Sequence, residues 1–577
     1  MKIDRGDGIF FTVLACAVVI VFGSSLFFEA QILDDIIYVG RFHLLSFSWN
    51  NLKLWWEPVL GLWSPLVGYS FMLDYLVWGK EHLFFGAHLM NILLHFLAAA
   101  GFYTGARMLK FPRLAAGLAV LIWAIHPQRA ESVAWLSERK DVLLLVLGLW
   151  GTVFFIQSVK RKVIWLYVLS AVFFALSFCI KPALIGLPAV LTAYLWGRYR
   201  KKDWRFYVKY SGVFWLLSLI YYAVFKCVAP AGSLMGTEGL FKQIILAGWR
   251  YGSYLVKTFV PYGLNPMYPH FSFADHSLLP LYVAGVIVLL LLEFLRRRSK
   301  KALYLYLPFF LSFSAAVAPG LLKIGDVDFA DRYSYFPSVF AVLAAAALLC
   351  SLCRKFPGAV KGIAAVSCCA VLGMGIMCFD KVFVWENFET YSAAVFAAPR
   401  PNYRNVIAAA VQSFEKGDLS GAMQGVSRLR QDYQDVPIER KLTIELFSES
   451  LEGAILYRRG NVSAGAYKIL KVLSHPRWSL LVNSTYGYPR YILLTAAGIC
   501  QKAGRKKDAA ELYRRLAGHY GDFELMEKEF YLALAALCLG DRTTALRHFE
   551  NARKLNPEDE NIRKNIEILK KHQAKRH

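Results

Sequence analysis

A chain of 577 residues that is 57% hydrophobic and 15% aromatic, with a mean hydropathy of +0.40, reads as a polytopic membrane protein and not as a soluble globular domain. Its net charge of +25 does not argue for nucleic-acid binding, because many of the cations sit in short loops between apolar runs, where they set topology and face anionic lipid. From about residue 400 the long apolar runs stop and Arg, Lys, Glu, Asp and Gln become frequent, so the expected fold class is all-α: a helical membrane domain over 1–399, then a soluble helical domain over 400–577.

Gly8 to Phe28 is uncharged and mostly apolar, and a crossing needs about 20 such residues. A charged start precedes it and no small-residue cleavage site follows, so an uncleaved first span is expected. Further spans are expected at 84–106, 114–127, 141–158, 163–180, 183–197, 207–228, 279–295, 302–318, 336–353 and 359–379, about eleven in all. Residues 240–261 are apolar but interrupted by Lys242, Arg250 and Lys257, and read as interfacial or re-entrant.

Loop charge alternates along this order. Lys2 and Arg5, then Arg107/Lys110/Arg113, Lys160–Lys162, Arg198–Arg205, Arg296–Lys301 and Arg354/Lys355/Lys361 mark one side, which the positive-inside rule puts in the cytoplasm. Asp34, Asp35, Glu57, Glu131, Glu138, Asp326, Asp328 and Asp331 mark the other. With eleven spans the C-terminal domain shares the outer, extracytoplasmic compartment with these acids. Ten cysteines, most of them inside apolar segments, give no ladder of paired spacings and no disulfide framework is expected.

The outward loops carry the candidate chemistry. Asp34 and Asp35 lie just past the first span; a carboxylate there serves as a general base or a metal ligand, or simply as a solvated acid or helix cap. Trp63-Ser64-Pro65-Leu66 leads to His88, Asn91 and His95, which share one helix face and are placed to hydrogen-bond neighbouring helices. His126-Pro127 runs through Arg129, Glu131, Ser132 and Trp135 to Glu138-Arg139-Lys140-Asp141, a dense mixture of both signs in which Arg suits bidentate phosphate binding and Lys acts as a point charge. Lys181-Pro182 occupies a tight outward turn, where a snorkelling role is the plain alternative. Asp326, Asp328, Asp331, Arg332, Tyr333, Tyr335 and Pro337 cluster at the mouth of a span; the spacing lacks the Gly and terminal Glu of a calcium loop, so a divalent cation is possible but no coordination set is fixed.

Beyond residue 400 the pattern is one of paired short helices. Leu532, Ala533, Ala536, Gly540, Asp541, Ala545, Phe549, Ala552 and Pro557 resemble a tetratricopeptide repeat. Ala497, Gly504, Ala509, Tyr513 and Leu516 fit it loosely, and Ala410, Gly417, Asp418, Ala422, Val426 and Leu429 make another unit, while Gly453 to Leu473 fits less well. Roughly four helical pairs are expected, forming an α-solenoid whose concave face binds peptide or protein, or else serves as a cap or oligomerisation module.

Taken in order, Leu33-Asp34-Asp35, Trp63-Ser64-Pro65-Leu66, His88/Asn91/His95, His126-Pro127 through Glu131 and Trp135 to Arg139-Lys140-Asp141, and Asp331-Arg332-Tyr333-Ser334-Tyr335-Phe336-Pro337 resemble the transmembrane and tetratricopeptide-repeat O-mannosyltransferases, within the multispan, lipid-phosphosugar-dependent glycosyltransferases of GT-C type. The resemblance covers most of the chain. Pro182 stands where family members often carry Glu after Lys, the Asn expected after the acidic pair is missing, and the repeat array is short.

The resemblance implies an inverting transfer of a sugar from a polyprenyl-phosphate-linked donor to a hydroxyl acceptor, a Ser or Thr of a protein held by the repeats. Asp34 or Asp35, with Asp34 favoured by analogy, would be the base. Arg139, Lys181, Arg332 and Tyr333 would meet the donor phosphate, with His88, Asn91, His126 and Glu131 in support. The alternatives are a glycolipid or envelope-polysaccharide acceptor, and a non-enzymatic membrane-anchored scaffold. A transporter is disfavoured by the scarcity of mid-span charge and of duplicated halves.

Overall fold

The computed structural model describes residues 4–29, 34–59, 62–199, 202–228, 240–266, 268, 285, 329–398, 403–433, 438–477, 488–502, 504–518 and 525–574. The chain divides into two compact units, Met1–Ala394 and Val395–His577. Among the described residues the secondary structure is helical, apart from one isolated bridge between Val59 and Leu62.

Among the described residues of the first unit six helices are long and apolar enough to cross a membrane: Arg5–Phe27, Leu83–Met108, Leu136–Arg161, Trp204–Phe225, Pro337–Lys355 and Pro357–Trp385. Each coincides with an expected span. Three other expected spans are shorter helices, Arg113–Ala124, Ile164–Phe178 and Leu187–Arg198, of 12, 15 and 12 residues. At 1.5 Å per residue, 12 residues cover about 18 Å, short of the ~30 Å hydrocarbon core. Arg113–Ala124 stops because His126-Pro127 follows, and the residue before a proline is forced out of the helical region. The expected spans 279–295 (apart from Gly285) and 302–318, with Asp326 and Asp328, lie outside the described residues, as does Leu33.

Small residues let the spans approach. Ala98, Ala99 and Ala100 are buried on Leu83–Met108, which packs against Arg139–Arg161, and Trp150 donates its indole N–H to Leu97 O at 3.0 Å. Ser170 donates to Gly151 O at 2.7 Å, tying Ile164–Phe178 to the same helix. A further apolar helix, Pro65–Trp78, packs on Leu83–Met108. Gly68 on that helix touches the Trp55 ring so closely that a Cβ would lie 2.1 Å from Cδ2. Large apolar side chains remain exposed along the spans, such as Ile20, Leu219, Val366 and Ile376, as expected for lipid-facing surface.

Residues Leu240–Phe259 form one helix that buries Trp249, Tyr254 and Leu255. Tyr254 stacks on Phe329 with centroids 4.2 Å apart and donates to Ala330 O at 3.2 Å. The helix thereby braces the segment that carries Asp331 and Arg332.

The second unit is a run of helix pairs: Tyr403–Glu415 with Leu419–Asp432, Ile438–Arg458 with Val462–Ser474, Tyr488–Lys502 with Lys506–Ala517, and Leu525–Cys538 with Arg542–Leu555, closed by Glu560–Ala574. Gly417, Gly460, Gly504 and Gly540 all have φ between 73° and 90° and end the first helix of each pair. Asp418, Asn461 and Asp541 follow three of them and cap the second helix by accepting backbone N–H groups. The second pair escapes the Ala pattern because glycine does the work there. A Cβ on Gly465 would sit 2.5 Å from Gly453 O, so the two backbones are in contact. Ala533, Ala545, Phe549, Ala552, Ile562 and Ile566 form the core of the last pair and its closing helix.

Candidate active site

The segment from His126 to Asp141 is buried throughout, although it holds Arg129, Glu131, Glu138, Arg139, Lys140 and Asp141. Buried charge is costly unless paired, and these groups are paired almost completely. They sort into two sets that face opposite ways from one short stretch: a helix Arg129–Ala134, a single turn Leu136–Glu138, and the start of Arg139–Arg161.

One set forms an ionic network with the first outward loop. Lys140 lies 3.4 Å from Asp34 and 3.7 Å from Glu138, with Tyr38 under its ammonium at 5.2 Å. Arg332 Nε is 3.4 Å from the same Glu138 oxygen, and Lys181 is 3.9 Å from the other. Three cations therefore converge on one carboxylate. Lys181 also pairs closely with Asp141, which accepts from Ser132 at 3.2 Å. Arg332 pairs with Glu131, whose second oxygen accepts the Arg332 backbone N–H at 2.9 Å. The guanidinium stands 5.4 Å from the Trp135 ring and 5.0 Å from Tyr333. Asp34, Lys181, Arg332, Tyr333 and Glu131 are thus brought together.

The two adjacent acids are held differently. Asp35 is buried and its Oδ1 accepts both the backbone N–H of Ser137, at 2.8 Å, and the Ser137 hydroxyl. Burial pushes the Asp35 carboxyl up to about 7, against the pull of the Ser137 bonds; Asp34 adds to the rise and Lys140 opposes it. Asp34 is more accessible, with 18% of its side chain exposed, and faces Lys140. Burial also raises Glu131 to about 7 against the attraction of Arg332.

The second set is structural. Arg139 is fully buried and turned away from Lys140. It pairs with Asp74, donates from Nε to Asn91 at 2.8 Å, and from its other nitrogens to Ala87 O at 2.7 Å and Ser70 at 3.3 Å. All three nitrogens are engaged in this clamp, and Lys140, not Arg139, faces the ionic network. Asn91 donates in turn to Val133 O at 3.3 Å, as its expected inter-helix role requires. His95 bridges Tyr335 and Ala124 O at 2.6 and 2.8 Å. His126 accepts the Gln128 N–H at 3.2 Å and shapes its own turn, while His88 lies buried against Phe28 with no hydrogen-bond partner among the described residues. Neither belongs to the ionic network.

The sequence pattern alone gives no site role to Ser137, Glu138, Lys140, Asp141 or Asp74. The available signals were the i, i+3 spacing of Glu138 and Asp141 on a helix start, and a lone Asp74 inside an apolar helix. Among the described residues no group of three or more His, Cys, Asp or Glu side chains is placed to hold a metal ion.

No family model matches the chain. A stretch of 93 residues is 37% identical to protein O-mannosyl-transferase Tmtc1 of Drosophila melanogaster, covering 15% of this chain and 11% of that relative. The resemblance to the transmembrane and tetratricopeptide-repeat O-mannosyltransferases thus has a measured counterpart in that stretch.

Proposed function

We propose that this chain is a membrane glycosyltransferase that moves a sugar from a polyprenyl-phosphate carrier to a hydroxyl acceptor, with inversion at the anomeric carbon. The observation that carries the reading is the convergence of Lys140, Lys181 and Arg332 on Glu138, one ion pair away from Asp34. The similarity to Tmtc1 over a short stretch supports the same reaction class.

In this reading the acceptor O–H gives its proton to Asp34 as its oxygen attacks the anomeric carbon. The carbon–oxygen bond to phosphate breaks, and the polyprenyl phosphate leaves with the electron pair. Charge grows on that phosphate, and preorganised cations stabilise it, typically by a few kcal/mol each. Lys140, Lys181 and Arg332 are the three. Ser137 fixes Asp35, which holds the loop so that Asp34 faces the network. The helix pairs of the second unit would present a polypeptide acceptor, in the extracytoplasmic compartment that the loop charges imply.

Incubating the purified protein with a panel of polyprenyl-phosphate sugars and acceptor peptides, followed by mass spectrometry, tests the reading. A peptide gaining one hexose mass is expected. Transfer to a glycolipid or polysaccharide instead would keep the reaction class and replace the acceptor; no transfer from any donor would remove the reading.

A further inference from the structure

The helix pairs of the second unit carry their charge unevenly. Successive first helices touch one another, Tyr403–Glu415 on Ile438–Arg458 and Ile438–Arg458 on Tyr488–Lys502, so they form one layer and the second helices form the other. The four first helices hold seven Lys and Arg and seven Asp and Glu. The four second helices hold twelve Lys and Arg and four Asp and Glu. Eight of those twelve cations lie on the last two, Lys506–Ala517 and Arg542–Leu555, and all eight are exposed.

Helix stability does not account for this. Cations suit the C-terminal end of a helix, where Arg514, Arg515, Arg553 and Lys554 lie. Lys506, Lys507 and Arg542 instead open their helices, at the positive end of the macrodipole, where a cation is unfavourable. Internal pairing does not account for it either. Arg514 and Arg515 share Glu511. Lys506, Lys507, Arg542, Arg547, Arg553 and Lys554 form no ion pair among the described residues. Arg547 acts at longer range on Asp541, and Arg553 and Lys554 on Glu550, which is itself paired with Lys570 at 2.9 Å.

The apolar residues of these two helices are buried or half-buried, except Leu555 at 38% exposure. A polypeptide partner is anchored by aromatic and apolar side chains as well as by charge, and here the apolar side chains are turned inward. A layer of lipid phosphates asks for charge alone: each Lys or Arg near an anionic bilayer contributes about 1 kcal/mol, and clusters of roughly four to eight suffice. The chain brings such a layer close. Trp385 ends the apolar helix Pro357–Trp385 and the second unit begins at Val395, so the helix pairs are tethered to a bilayer by a short connection.

We propose that the second-helix face of the last two pairs binds the headgroups of anionic lipids in the bilayer that holds the first unit. The contact is electrostatic, made without insertion, and reversed by salt. It needs the membrane spans and does not rest on the transferase reading.

The test uses the full-length protein in lipid nanodiscs, of phosphatidylcholine alone or with phosphatidylglycerol added, and follows amine labelling of single lysines by peptide mass spectrometry. At low salt the anionic discs are expected to slow labelling of Lys507 and Lys554 at least about threefold, and high salt to restore it. Lys528, on a first helix, is expected to label alike in both discs. Lys506→Glu combined with Lys507→Glu is expected to abolish the slowing at Lys554; acids at a helix N-terminus stabilise the helix, so that loss is not unfolding. Equal rates in both discs, slowing shared by Lys528, or slowing at Lys554 that survives the double substitution would each overturn the proposal. Protection of Lys554 by an added poly-glutamate peptide but not by anionic discs would give the face to an acidic polypeptide instead. Slowing in a protein that transfers no sugar would leave this face assigned and remove the transferase reading alone.

Discussion

At the scale of single residues, two neighbouring acids are separated by what they touch. Asp35 is held by Ser137 and its carboxyl is pushed up to about 7 by burial. Its folded value lies above the ordinary 3.8, so the folded chain retains a proton that the unfolded chain releases. The stability it contributes is complete below about pH 4 and is lost as pH rises towards 7. The melting midpoint in detergent is therefore expected to fall between pH 5 and pH 8, and Asp35→Asn, which is permanently neutral, to make that fall shallower. An unchanged slope in Asp35→Asn would contradict the burial account. Glu131 contributes in the same direction, so some slope remains. The pair Asp34-Asp35 was legible in the sequence as an outward acidic dipeptide. Their division of labour was not, because it depends on Ser137, 102 positions away from Asp35 in the chain.

At the scale of elements, the stretch from Glu138 to Asp141 is a hinge between structure and chemistry. Successive residues on a helix point about 100° apart, so Arg139 and Lys140 serve different partners. Arg139 is sealed between Asp74, Asn91 and Ala87. Removing one partner of a buried ion pair costs about 3–5 kcal/mol, whereas replacing both with apolar groups is often neutral. Asp74→Ala is expected to lower the unfolding midpoint sharply, and the double replacement Arg139→Met with Asp74→Leu to recover most of it, as read by denaturant unfolding. Equal losses in both would show that the clamp adds nothing beyond packing. In the helical repeats, Gly540 has φ of 81°, where an L side chain is strained. Gly540→Ala is expected to cost about 1 kcal/mol. Sequence periodicity located these helices well because the repeat is local. It could not show which way Arg139 turns, since nothing local tells where an arginine at a helix start points; the clue was Asp74, isolated on another helix.

At the scale of the whole molecule, composition alone separated an apolar first unit from a polar second one, and the six long apolar helices coincide with expected spans. What composition overstated was length. Arg113–Ala124 and Leu187–Arg198 are apolar but only 12 residues long, because proline and the charged loops end them early. Charge alternation implies opposite compartments for the loop at Arg296–Lys301 and the C-terminus. Reporter fusions at those two points are expected to give opposite signals; the same signal from both would require an even number of spans between them and a new topology. The central claim is that Asp34 takes the acceptor proton within the cation network. The most direct test is single-turnover transfer from a polyprenyl-phosphate hexose by the wild type and by Asp34→Asn, with melting midpoints measured alongside. Asp34→Asn is expected to slow transfer at least about 100-fold, the usual scale of general-base loss, with an unchanged midpoint; transfer at the wild-type rate by Asp34→Asn would contradict the account.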